Sequence, residues 1–302
     1  MLNPDFWDSF GKARDKARKN HYKCLYPGCS KVTCDCHLVQ QHPFVASIAE
    51  DGRVYQIKDN VVNPMSGDFS DLKENLLPVK QALILPLFCS EHDNALFKDI
   101  EYGDIDFESA NTFLLFSYRG LAGQRFLEEK RQTFYQNTGF EGWAFDLQRE
   151  YSKHVIERLD CTLNQMLKDI QNKSYDEYEF CMIDFPFLAF CGSDAVVDED
   201  EMAYSYDGGK REVRPLNALF FTLLPMAESK VLKVIIGYHK GYVGAKQKAF
   251  YHRVLKLRNA KTTMELICRM KNWCCSPSLI KNKDFLTQYE VVRNEIIWDG
   301  GC

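Results

Sequence analysis

Twenty residues near the N-terminus, KCLYPGCSKVTCDCHLVQQH (Lys23–His42), carry four cysteines and two histidines. Thiols at that density must be cross-linked, coordinated or buried, so they constrain the fold more than any apolar pattern does. The compartment helps to decide among these. The opening MLNPDFWDSF has neither a basic start nor an apolar run, so no signal peptide is expected. The most apolar stretch, Pro215–Ala227, is too short to span a bilayer, and no membrane contact is expected. A cytoplasmic chain follows, and in a reducing compartment its twelve cysteines are not expected to form disulfides.

Zinc in proteins is held tetrahedrally by four nitrogen or sulfur ligands, commonly as two pairs that each come from a tight turn. Cys24 and Cys29 enclose Pro27 and Gly28, which can fold the backbone so that both sulfurs face one point. Cys89-x2-His92 supplies a second pair, and the following DNALFKDIE places Ala95, Leu96 and Ile100 on one helical face. That pair would open a helix, where the dipole favours thiolate. A structural Zn²⁺ on Cys24, Cys29, Cys89 and His92 is the preferred reading. Cys34 and Cys36 could instead complete a local four-cysteine site. A Cys-x-Cys pair is stiff and extended, and the distant pair is preferred. Cys161, Cys181, Cys191 and Cys268 sit singly in apolar patterns and read as core residues, and Cys274–Cys275 reads as a core pair at a helix end.

A knuckle, a hairpin and a ligand pair opening a helix resemble a treble-clef zinc finger. More specifically, CHL (Cys36–Leu38) and LFCSEHD (Leu87–Asp93) resemble the HNH, or ββα-metal, nuclease module over about residues 20–102. The same region is similar to a group of uncharacterised bacterial proteins, many from defence-type gene sets, that share a Phe-Cys-x-x-His-Asp-x-x-Leu-Phe pattern. The resemblance implies a metal-dependent DNA or RNA endonuclease acting in bacterial defence. His37 would be the general base, and Asp93 would hold a catalytic Mg²⁺ or Mn²⁺. The chain departs from the family at two positions. Cys36 stands where a metal-binding aspartate is usual, and ALILPLF (Ala82–Phe88) lacks the middle asparagine.

The alternative is a non-catalytic zinc-finger subunit that binds nucleic acid or protein. The first 23 residues read as an amphipathic helix whose basic members include Lys12, Arg14, Lys16, Arg18 and Lys19, a candidate phosphate-contacting patch. The net charge of −4 and pI near 6.0 argue against a protein that coats nucleic acid over its whole surface.

The fold class expected is α+β in three segments. Residues 1–107 comprise the basic helix and the HNH-like zinc module, with a strand at Arg53–Ile57 after an Asp51-Gly52 turn and a loop over Asn60–Asn75. Residues 108–175 are helical: Glu108–Asn137, interrupted by Gly120 and Gly123, and a second helix with apolar residues every three or four positions from Tyr151 to Ile170. Residues 176–302 form a C-terminal α+β region that could dock a protein partner. Its strands fall at Tyr178–Cys191, Leu216–Leu224 and Val231–Tyr238, its helices near Lys246–Arg258, Thr262–Trp273 and Asp284–Glu295. A further hairpin is expected over the acidic insert DAVVDEDEMAY and YDGGKR.

Overall fold

Between Ala110 and Gln124 the sequence ANTFLLFSYRGLAGQ carries one charge, Arg119, and apolar residues on every side of a helical projection. A helix of that kind has to be surrounded by protein. The computed structural model describes residues 4–56, 75–102, 104–139, 141–197 and 213–298. Its N-terminal half runs α1 (Pro4–Lys19), β1 (Asp35–His37), β2 (Arg53–Gln56), β3 (Leu76–Pro78), β4 (Ile84–Pro86), α2 (Ser90–Glu101), α3 (Ala110–Asn137) and α4 (Trp143–Asn172). The C-terminal half runs β5 (Tyr178–Pro186), β6 (Phe190–Val197), β7 (Ala218–Met226), β8 (Val231–His239), α5 (Ala245–Lys256), α6 (Ala260–Cys268), β9 (Trp273–Cys275), α7 (Pro277–Lys281) and α8 (Lys283–Trp298).

Helix α3 packs against α1, α2, α4 and the strands β6 and β7, and every residue from Thr112 to Gln124 is buried. Gly120 does not interrupt this helix. It lets the helix touch the sheet, because a Cβ there would lie 2.5 Å from Ser193 Oγ and 3.1 Å from the Asp194 backbone nitrogen.

The main sheet has the order β3-β2-β9-β6-β7-β8-β5 and is antiparallel throughout. Along β7, Ala218, Phe220 and Leu224 enter the core shared with α3 and α4. Leu219, Phe221 and Leu223 enter a second core with α5, α6 and α8. Both faces are covered, which is why β7 reads as a continuous apolar run without alternation. The fold is therefore α+β, a large antiparallel sheet flanked by helices. Strands β2 and β3 come from the cysteine-rich segment and pair with each other, and β2 also pairs with β9, so residues 1–107 and 176–302 share one sheet.

Several sequence expectations need correction. The block Tyr178–Cys191 forms two strands, because β5 ends at Pro186, which has no N–H to continue a ladder. The helix expected over Thr262–Trp273 stops at Cys268. The backbone N–H groups of Lys271 and Asn272 donate to the buried Asp194 carboxylate, the latter at 3.0 Å, and Trp273–Cys275 become β9. Cys274 and Cys275 are thus buried in a strand, not at a helix end. Cys191 is wholly buried, whereas Cys161, Cys181 and Cys268 are half-buried. The Asp51-Gly52 turn forms with positive φ at both residues (51° and 70°), and Glu50 and Arg53 exchange backbone hydrogen bonds of 3.0 and 2.9 Å. Ile57, the Asn60–Asn75 loop up to residue 74, and most of the acidic-insert hairpin lie outside the described residues. Among the described residues no helix is long and apolar enough to cross a membrane.

The approach of α3 to β6 gives a direct test. Gly120→Ala is expected to lower stability by about 1–3 kcal/mol, the usual cost of overfilling a packed core. A denaturant midpoint equal to that of the unmodified chain would contradict the contact with Ser193.

Candidate metal centre

The knuckle is a miniature hairpin. Lys23 bridges Val32, Gly28 turns at φ +75°, and the Cys29 N–H donates to the Tyr26 carbonyl at 3.0 Å. Two further bonds fasten it to the chain leading into α2: Leu25 N–H to Leu87 O at 2.9 Å and Cys34 N–H to Phe88 O at 2.8 Å. Strand β1 pairs antiparallel with β4, setting Cys36 opposite Leu85 and His37 opposite Ile84. Cys89 then caps α2, and the first helical turn returns His92 to the same side.

These local constraints bring Cys24, Cys29, Cys89 and His92 together, with ligand atoms all within 4.8 Å of one another. His92 Nδ1 lies 3.5 Å from Cys24 Sγ and 3.3 Å from Cys89 Sγ, and the sulfurs of Cys29 and Cys89 are 4.0 Å apart. A tetrahedral site with metal–sulfur bonds of about 2.3 Å and a metal–nitrogen bond of about 2.0 Å has edges of roughly 3.5–3.8 Å. The cluster can hold a metal ion. The His92 N–H, at the start of α2, draws the Cys89 thiol below its ordinary pKa, whereas burial pushes Cys24 up to about 11. Tyr26 stacks on the His92 ring at 3.8 Å and 7°, and Gln171 donates to the Tyr26 hydroxyl at 3.2 Å, tying the centre to α4. Lys31 and Glu91 pair across the knuckle–helix junction at the surface.

A second group lies beside the first. Cys34, Cys36 and Asp93 also have their ligand atoms within 4.8 Å, and the two sulfurs are 3.9 Å apart. The two side chains converge, as residues two apart in an extended segment do when they share one face, so this pair can serve a local site as well. Cys36 is fully buried, and the Phe88 N–H donates to its sulfur at 3.3 Å. Burial, with the Asp93 charge added, raises its thiol pKa.

Asp93 has a partner that the sequence reading missed. The wholly buried Arg119 places Nη2 3.1 Å from Asp93 Oδ1 and 2.6 Å from Glu101 Oε1. Its guanidinium lies 4.0 Å above the Phe97 ring. Positions 93, 97 and 101 are spaced four apart, so one stripe of α2 meets this guanidinium. The available signal was the lone charge in the apolar run of α3, because a charge in a surrounded helix must be paired. His37 sits in the same field. Burial lowers its pKa, Glu101 opposes that and Arg119 adds to it, while its Nε2 is buried without a hydrogen-bond partner.

The basic helix divides into two faces. Ala13 and Ala17 are buried with Phe134, while Lys12, Lys16 and Lys19 are exposed. Arg14 is half-buried, with Nε 3.7 Å from Asp15, and the Arg18 side chain lies outside the described residues. No family model matches the chain, and neither a curated protein nor a solved structure matches it significantly.

The ion-pair stripe is testable by stability. Arg119→Met leaves two nearly buried carboxylates without their cation and is expected to cost about 3–5 kcal/mol in chemical denaturation. Adding Asp93→Asn and Glu101→Gln to that variant is expected to restore much of the loss. Equal stability of Arg119→Met and the unmodified chain would show that the guanidinium is not buried as described.

Proposed function

We propose that Cys24, Cys29, Cys89 and His92 hold one structural Zn²⁺, and that the module they close, of treble-clef layout, serves to bind nucleic acid. Three thiols and an imidazole form a donor set that zinc favours over the hard cations Mg²⁺ and Ca²⁺. The observation that carries the binding reading is the stripe of Lys12, Lys16 and Lys19. Their spacing of four and three residues puts three ammonium groups on the exposed side of a helix whose other side is anchored by Ala13 and Ala17. A helix with that arrangement can follow a phosphate backbone, with counterion release supplying the affinity.

A second reading, a metal-dependent endonuclease, is favoured by His37. Its imidazole is held neutral by burial, has an unpartnered nitrogen and lies in the field of Asp93, as a general base would require. A divalent ion would supply polarisation of the phosphate. Arg119 weighs against this reading, since its charge already offsets Asp93, the one carboxylate in the second cluster that a hard cation would need. Cys36 weighs against it too, being a thiol where a hard ion would want a carboxylate. The binding reading is the one the geometry favours.

Two measurements separate the readings. The purified chain should bind single-stranded or duplex oligonucleotides with an affinity that falls steeply with salt. Replacing Lys12 and Lys16 by Gln should lower the slope of log K against log salt by about 1–2. Binding that does not respond to salt, or no binding at low salt, sinks the nucleic-acid reading. Plasmid nicking with Mg²⁺ or Mn²⁺ that disappears in His37→Ala would replace it with the endonuclease.

A further inference from the structure

The first metal cluster leaves Cys34, Cys36 and Asp93 unused, yet the fold converges them as closely as it does the first four. The 3.9 Å between the two sulfurs equals, within 0.1 Å or so, the edge of about 3.8 Å that two thiolates span on one tetrahedral metal ion. Three features of the site make this more than proximity. Cys36 is held in place by the Phe88 N–H at 3.3 Å, a donor that stabilises a metal-bound thiolate. Cys34 is held in place through its own N–H on the Phe88 carbonyl, so the backbone of one residue, Phe88, fixes both cysteines. Asp93 is fixed by Arg119 through Oδ1, which leaves Oδ2 for a ligand.

We propose that Cys34, Cys36 and Asp93 form a second, thiophilic metal site that takes a second Zn²⁺ with its fourth coordination position open. Two sulfur donors select a borderline-soft ion over Mg²⁺ or Mn²⁺. Charge points the same way. Two thiolates and one carboxylate give −3, and a divalent ion with the Arg119 guanidinium gives +3. The Glu101 carboxylate, on the far side of the guanidinium, leaves a net −1. Binding releases the two thiol protons to solvent as the metal–sulfur bonds form. The site is coupled to the first by sequence adjacency, because His92 serves one ion and Asp93 the other from the same helical turn. It rests on its own donors and stands whether or not the module binds nucleic acid. Three protein ligands with an open position are the arrangement of zinc sites that bind an exchangeable water.

The test is metal stoichiometry on the full chain, purified under reducing conditions, stripped, reloaded with Zn²⁺ or Co²⁺ and dialysed. The unmodified chain is expected to retain two equivalents. Cys34→Ser, at a half-buried position, should retain one, and should lose up to two-fifths of the thiolate-to-Co²⁺ absorption, which arises from five cysteines in all. Asp93→Asn should weaken only the second equivalent. If Cys36→Ser does not fold, Cys34→Ser carries the test alone. One equivalent in the unmodified chain, unchanged by Cys34→Ser but removed by Cys89→Ser, overturns the second site and leaves the first standing. No retained metal overturns both.

Discussion

A guanidinium with no path to water must end on carboxylates, and the position of Arg119 therefore dictates where α2 can lie. The alternative, an unpaired charge in the core, costs several kcal/mol even after relaxation. Asp93, Phe97 and Glu101 answer it from one face of α2, two by charge and one by its ring. That contact sets the rotation of α2 about its own axis. The rotation in turn fixes His92, the neighbour of Asp93, on the side where Cys24 and Cys89 wait. The ligand geometry of the metal centre is thus positioned from outside, by a helix that contributes no ligand.

The convergence of Cys24, Cys29, Cys89 and His92 could be read from the sequence because it is governed by local rules. Pro27 and Gly28 make a turn, Cys89 caps a helix, and His92 follows within one turn. Each step spans five residues or fewer. The strand edges and helix ends that were misplaced depend on distant partners. Nothing near Thr262–Trp273 says that a buried Asp194 will draw off the N–H groups of Lys271 and Asn272 and convert the following residues to a strand. The sharing of one sheet between the first and last segments was hidden for the same reason, since β2 and β9 are separated by more than 200 residues and meet over two pairs, Tyr55–Cys275 and Gln56–Cys274. The convergence of Cys34 and Cys36 was misjudged by a shorter margin. Residues two apart in an extended chain share one face, so the spacing of Cys34 and Cys36 already allowed the two sulfurs to meet.

Gly120 and Arg119 are neighbours with opposite duties. One removes a side chain so that α3 can touch β6, and the other carries the largest fully buried side chain toward α2. On a helix, adjacent residues point about 100° apart, so the same turn can meet the sheet on one side and the metal module on another. The helix therefore couples the two halves of the chain mechanically. A displacement of α2 has to be absorbed at Ser193 and Asp194 or by breaking the ion pair.

That coupling bears on what a metal ion contributes here. In an isolated zinc finger the ion supplies about 10–16 kcal/mol and the apo peptide is unfolded. This module has a core of its own: Leu38, Val39, Phe44, Val45, Val54, Leu83, Leu87, Phe88 and Phe97 are all buried, and they join the main cluster through α3. Each such side chain contributes about 1.5–3 kcal/mol of gross burial, so several together match the ion. The backbone bonds from the knuckle to Leu87 and Phe88 add to this, and none of them needs a metal. The ligands are thus held near their places by apolar packing and by Arg119. An ion bound there would act mainly on the knuckle itself, where the convergence of Cys24 and Cys29 depends on a turn of a few residues. A centre built this way is preorganised: the cost of gathering the ligands is met by the fold, and the free energy of binding appears as affinity for the metal.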